Sequence, residues 1–224
     1  MSRPTLPGTI PGLLRRGSPV VCAPSSVPGV VTDLSAGVGG TKVEVAWEGI
    51  GCEDEKRELY EILRLKELHK KKVYAVVEEI CASGAYYIAV AADDIYVDKA
   101  SLVGSIGVLM EGFGFVDLMG KLGVERRLMT AGVNKGFLDP FSPQTKPQRA
   151  HAQTLLDQIH KQFIQVVRDG RGQRLKETPE LFSGLFWSGE QAVELGLADG
   201  LGNLDYVARE IVKAEDVIDY TRHE

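Results

Sequence analysis

Cysteine is scarce in this 224-residue chain, and the three present, Cys22, Cys52 and Cys81, have the spacing of neither a zinc site nor a disulfide framework. The four histidines (His69, His151, His160 and His223) are scattered, and none stands in a motif. No metal and no cofactor is therefore expected. Long apolar runs are also lacking. The longest, about residues 80–92, falls short of the roughly 20 residues that a membrane-spanning helix needs. Its small residues and tyrosines suit a packed helix instead. Basic charge is not in excess: 26 Lys and Arg face 31 Asp and Glu, a net charge of −5, which leaves no electrostatic footprint for nucleic acid. A secretory signal would need a compact apolar core after a basic start, and prolines and arginines break every apolar stretch near Met1.

What remains is enough chain for one α/β domain with a core, plus a tail. Residues 1–42 carry Pro4, Pro7, Pro11, Pro19, Pro24 and Pro28 among many glycines and serines, with Arg15-Arg16 as the only basic pair. No helix or strand period persists there, so this stretch reads as a flexible leader or as a short strand system with weak signals. From residue 43 to 224 the pattern is that of one domain.

Strands are expected at Val43 to Trp47, Val73 to Val77, Ile95 to Val97, Ser105 to Met110 and Glu125 to Thr130. Helices are expected at Glu53 to Lys72, about Gly84 to Ala92, Phe115 to Leu122, Gln148 to Arg168, Gly189 to Leu195 and Leu204 to Val212. Strands that alternate with helices argue for a mainly parallel sheet.

The most informative stretch is Cys81-Ala82-Ser83-Gly84-Ala85-Tyr86-Tyr87. It sets a lone hydroxyl, flanked by small residues, at a turn between an apolar strand and an apolar helix. A serine there stands at the open end of a sheet, where neighbouring N–H groups can bind a developing negative charge. It can equally be a helix cap, a common use of serine, and this segment alone leaves the two readings level. Cys81, two residues before Ser83, reads as a small buried apolar residue rather than a nucleophile.

Two further segments complete a pattern: Ser101-Leu102-Val103-Gly104-Ser105-Ile106-Gly107-Val108, and the loop Ala131-Gly132-Val133-Asn134-Lys135-Gly136. Together with Trp187-Ser188-Gly189-Glu190-Gln191-Ala192 and Leu195-Gly196-Leu197-Ala198-Asp199, they resemble the signal peptide peptidase A family of serine proteases, peptidase family S49. The resemblance covers about Glu53 to the C-terminus. It implies a ββα spiral of the crotonase and Clp-protease type with a C-terminal helical extension, and a Ser–Lys dyad in place of Ser-His-Asp. By that likeness Ser83 is the nucleophile, Lys135 the base and Ser105 the hydroxyl that orients the amine. An ordinary lysine is protonated at neutral pH, and burial against apolar groups is what frees its lone pair.

The same likeness makes the N–H of Gly84 the first oxyanion donor. The second comes, in the family, from an Asn-Ser-Pro-Gly-Gly turn. Here the corresponding stretch is Glu48-Gly49-Ile50-Gly51, which lacks the Asn, Ser and Pro. Gly51 falls where the second family glycine would be; it is either the second donor or an ordinary loop glycine. The implied substrates are apolar peptides such as cleaved signal peptides, and the implied assembly is a tetramer or octamer with inward-facing sites. Family members commonly carry a membrane anchor and an extracytoplasmic domain. No anchor is visible here, so the chain is expected to be soluble or a fragment whose anchor lies elsewhere; membrane contact and compartment stay open.

A different class of function fits the altered turn: a catalytically silent member serving as an oligomeric scaffold or peptide-binding module. Coenzyme A ester hydration, which shares the fold, would want acidic catalytic residues beside paired oxyanion glycines, a constellation absent from this sequence. Lys70-Lys71-Lys72, Asp93-Asp94 and Gly112-Phe113-Gly114-Phe115 read respectively as a solvated helix end, an acidic pair with no second ligand set near it in sequence to hold a metal, and a turn with packing aromatics. Trp187, in Leu185-Phe186-Trp187, reads as core rather than as a substrate wall.

Overall fold

The computed structural model describes the backbone of residues 20–23, 29–37, 40–47, 52–214 and 217–218, with side chains from residue 56 onward. The chain divides into two compact units, one of residues 1–106 with 164–224 and one of residues 107–163.

In the first unit the strands are β1 (Val20–Ala23), β2 (Gly29–Gly37), β3 (Gly40–Trp47), β4 (Tyr74–Val77), β5 (Ile80–Ala82), β6 (Asp94–Val97), β7 (Leu102–Gly104), β8 (Phe186–Ser188) and β9 (Gly200–Leu201). They form a six-stranded sheet, β2-β3-β1-β4-β6-β9, and a three-stranded sheet, β5-β7-β8. The large sheet is parallel apart from the β2–β3 pair, and in the small one β5 and β7 are parallel while β8 runs antiparallel. Each successive pair, β4 with β5, β6 with β7 and β8 with β9, gives one strand to each sheet. That recurrence is the ββα spiral, and it is an α/β fold as expected. β1 and β2 fall within residues 1–42, where the sequence left a leader and a short strand system both open.

The core follows from composition. β4 reads Tyr-Ala-Val-Val and is buried along its whole length, as a central parallel strand is. Helix α1 (Cys52–His69) turns Leu59 and Ile62 inward and packs on α2 (Gly84–Ala89), whose Tyr86, Tyr87 and Ile88 are buried. The helices α5 (Gly189–Glu194) and α6 (Leu204–Tyr206), and a π-helical turn at Val207–Val212, close the unit. Ser188 caps α5 through a reciprocal capping box with Gln191.

A long helix, α4 (Lys146–Arg171), begins in the second unit and ends in the first. At its end Arg171 is buried. Its Nε donates to Gly196 O at 2.8 Å and its terminal nitrogens to both Asp199 oxygens at 2.8 and 2.9 Å. Asp199 also accepts from the Ile95 N–H and from Arg174. Burial pushes the Asp199 carboxyl up, but Arg171, the Ile95 N–H and Arg174 outweigh it and hold it below the ordinary value. We expect Arg171→Leu to cost about 1.5–3 kcal/mol, since Asp199 loses its paired charged hydrogen bonds to Arg171 while keeping those to Arg174 and the Ile95 N–H. The melting temperature then falls by on the order of 10 °C. Because the carboxyl is depressed in the folded state, this stabilisation is present above about pH 3.8 and fades as pH drops further, so the gap between variant and parent narrows in acid. An equal melting temperature near pH 7 would remove the cluster from this role.

The second unit holds α3 (Val116–Leu122), the loop to Phe141 and most of α4. Its contacts are local: Phe115 stacks on Phe141, Arg126 lies over the Phe141 ring and pairs with Asp139, and Phe137 meets His151 edge-on. Two expected strands are not there. Residues 105–110 and 125–130 form no strand. The first expectation fails because β7 ends at Gly104, where φ is 109°, and Ser105 follows at φ 50°. No extended run survives two successive left-handed residues.

Candidate active site

The two serines singled out in the sequence come together at one end of the small sheet. β5 pairs with β7 so that Ala82 faces Gly104. The next residues, Ser83 and Ser105, therefore stand side by side just past the carboxyl ends of parallel strands, which run about 4.8 Å apart. In open α/β sheets this is the end where ligands bind.

Both serines adopt a backbone that L-residues avoid. Ser83 has φ 52° and ψ −121°, and Ser105 has φ 50°. Each such residue costs on the order of 1–3 kcal/mol and persists only where its surroundings hold it. The restraints are visible. The Ser83 N–H donates to Gly104 O at 2.9 Å, and the Tyr87 N–H donates to Ser83 O at 2.9 Å, tying the turn to β7 on one side and α2 on the other. The Ser105 N–H donates to Leu185 O at 2.8 Å. Helix α2 is itself anchored by Tyr86, whose buried hydroxyl donates to Leu197 O at 2.8 Å.

The competing reading of Ser83 as a cap finds no support, because its side chain makes no capping hydrogen bond and is exposed. Its hydroxyl is available. The N–H of Gly84, first in α2, lies at a position that has no partner within a helix. A strained strand-to-helix turn that lifts a serine clear of the sheet is the arrangement by which nucleophile elbows expose theirs.

Cys81, two residues earlier, is fully buried, and burial pushes its thiol up to about 12. The thiolate that a cysteine nucleophile needs is absent at neutral pH. Lys135 belongs to the second unit, in a turn where its N–H donates to Gly132 O at 3.1 Å. Its side chain is exposed, and its ammonium makes no hydrogen bond or ion pair among the described residues. Burial, the condition the sequence argument set for a lysine base, is not met by the chain alone. Gly51 and the Glu48 to Gly51 turn lie outside the described residues.

Sequence reasoning missed the neighbours that shape the pair. Leu185 supplies the carbonyl that holds Ser105, and Trp187 lies against Gly104. The only signal was that Leu185-Phe186-Trp187 precedes a Ser-Gly-Glu-Gln cap, too short an apolar run to declare a strand. Among the described residues no group of three or more His, Cys, Asp or Glu could hold a metal ion, and no helix is long and apolar enough to cross a membrane.

Comparison with known proteins adds a family. A model described as peptidase family S49 matches residues 66–218. The Na(+)/H(+) antiporter NhaA of Brucella melitensis biotype 1 is 47% identical over 155 residues, which is 69% of this chain and 21% of that protein. A protein of Enterococcus faecium named "Putative signal peptide peptidase SppA" is 30% identical over 187 residues, 82% of this chain and 53% of that protein. The chain thus spans between 21% and 53% of these relatives' own lengths. Among solved structures, an enoyl-CoA hydrotase/isomerase family protein from Silicibacter pomeroyi aligns with a TM-score of 0.38 at 13% identity, over 80% of this chain and 58% of that one. At that level the likeness says nothing of activity.

Proposed function

Because this chain belongs to peptidase family S49, we propose that it is a serine endopeptidase in which Ser83 attacks, Lys135 moves the proton and Ser105 orients the amine. The observation that carries the proposal is the strained, uncapped Ser83 held beside Ser105 at the end of β5 and β7.

The chemistry runs in two halves. The neutral amine of Lys135 takes the proton of the Ser83 hydroxyl as Oγ bonds to the peptide carbonyl carbon. The carbonyl oxygen becomes an oxyanion that accepts from the Gly84 N–H, with the Gly51 N–H as second donor. One such donor is worth on the order of 10²–10³ in rate. As the C–N bond breaks, the Lys135 ammonium returns the proton to the leaving amine. Water then attacks the acyl-enzyme with Lys135 again the base, freeing Ser83 and a carboxylate product.

The substrates are apolar peptides, cleaved signal peptides among them. The enzyme works as a homo-oligomer, a tetramer or octamer. Its second unit exposes Leu109, Phe113, Leu122, Met129 and Val133, apolar side chains that an interface between copies would cover. Burial of that surface between copies would also dry the surroundings of Lys135.

Turnover of a fluorogenic apolar peptide by the pure protein tests the reading. A folded protein with no turnover across several apolar peptides favours the silent scaffold, the reading that the Glu48 to Gly51 turn supports. Ser105→Ala should have a milder effect than loss of the nucleophile, chiefly moving the onset of activity to higher pH. A hydroxyl donating to the amine lone pair favours the neutral base, and its loss favours the ammonium. An unchanged pH–rate profile would take Ser105 out of this role.

A further inference from the structure

Trp187 is the side chain around the serine pair whose placement core packing does not explain. It sits in β8, opposite Val103 of β7. Its indole Nε1 is sealed from solvent and has no hydrogen-bond partner among the described residues. A buried indole normally finds an acceptor for its N–H, and leaving it orphaned is unfavourable by about 1–3 kcal/mol. The ring must therefore be held there for its shape. What it touches is the backbone of Gly104: a Cβ at that residue would meet Trp187 Cδ1 at 2.9 Å and Leu185 O at 3.1 Å.

Gly104 is the hinge of the site. At φ 109° it is the residue that turns β7 into the left-handed Ser105, and its carbonyl accepts the Ser83 N–H at 2.9 Å. The pyrrole edge of Trp187 on one side and the Leu185 carbonyl on Ser105 at the other close the space into which this turn could relax. β8 is in turn fixed by the Ser188 capping box and by Gly189, which approaches Asp98 O so closely that a Cβ there would lie 1.8 Å from it.

We propose that Trp187 is a positioning residue: its ring wedges the Gly104–Ser105 turn and thereby sets the spacing of the Ser83 and Ser105 hydroxyls. It touches neither substrate nor the reacting atoms and acts through the backbone of Gly104. The proposal rests on the reading of Ser83 and Ser105 as working groups. Its structural half, that Trp187 holds both turns, stands apart from that reading and is measured separately.

The test compares Trp187→Phe, Trp187→Leu and Trp187→Ala in the full chain, by steady-state kinetics on a fluorogenic apolar peptide and by amide hydrogen exchange at Ser83 and Ser105. Phenylalanine keeps an aromatic carbon at the Cδ1 position and removes the orphaned N–H, so it should retain kcat and slow exchange. Leucine fills volume without a flat edge. It should lower kcat about ten- to a hundredfold, the scale of a misplacement near 1 Å, with KM unchanged and faster exchange at both serines. If Trp187→Ala fails to fold, Trp187→Leu still reads the effect. Parental kcat and exchange in Trp187→Leu would make Trp187 a core filler and overturn the proposal. Should the parent show no turnover, the peptidase reading fails while exchange at the two amides still decides for or against the wedge.

Discussion

Ser83→Ala removes turnover of apolar peptides, by on the order of 10⁴–10⁶ in kcat, while the protein stays folded with nearly the parental melting temperature. The size follows from chemistry: without a nucleophile, what remains is binding and oxyanion stabilisation, which alone leave only a small residue of the rate. The lack of a folding effect follows from the structure. The hydroxyl is exposed and caps nothing, and the turn is held by main-chain bonds from Ser83 N–H to Gly104 O and from Tyr87 N–H to Ser83 O, which alanine retains. Alanine and serine meet the same steric penalty at φ 52°, so the exchange adds little strain and should shift stability by only about 0.5 kcal/mol. Kinetics on the peptide together with a melting curve check both halves. Turnover surviving in Ser83→Ala would remove Ser83 from its role, and a large drop in melting temperature would show that the hydroxyl was structural after all.

Lys135→Ala lowers kcat by about 10²–10⁴, the ordinary contribution of a positioned proton acceptor. Lys135→Arg is as damaging as the alanine variant. A guanidinium keeps the positive charge and much of the length, but it holds its proton throughout the accessible pH range and cannot serve as base. The arginine variant therefore separates proton transfer from charge. If Lys135 only attracted substrate electrostatically, arginine would restore the rate. Neither variant should lower stability, because the side chain is exposed and its ammonium makes no hydrogen bond or ion pair among the described residues. The pair of rates, beside a melting curve, is the check.

Much of this was legible in the chain because strong periods leave strong marks. The apolar run Val73 to Val77 and the long amphipathic stretch near Gln148 to Arg168 appear as β4 and α4 close to where they were expected. The small sheet left no such mark. β5, β7 and β8 have three residues each, too few for an alternation to show. The sequence places Ser105 as the first residue of a strand to Met110, whereas the left-handed backbone of Gly104 and Ser105 ends one. Yet those short strands set the two serines side by side. Strain of this kind depends on what surrounds a turn, and local sequence carries no trace of it. Glu125 to Thr130 shows the reverse error. Its apolar and basic residues suggested a strand, but no partner strand pairs with it among the described residues. From sequence Trp187 reads as core, and the closeness of its ring to Gly104, on which its proposed positioning role rests, has no mark in the local sequence.

The central claim is that Ser83 is a nucleophile activated by Lys135, and a serine-directed fluorophosphonate tests it most directly. The Ser83 Oγ would bond to phosphorus and expel fluoride, leaving an adduct that peptide mass spectrometry can place. The account predicts one adduct, on Ser83, formed slowly or not at all in Lys135→Ala. A folded protein left unmodified, or an adduct on another residue with Ser83 intact, would contradict it.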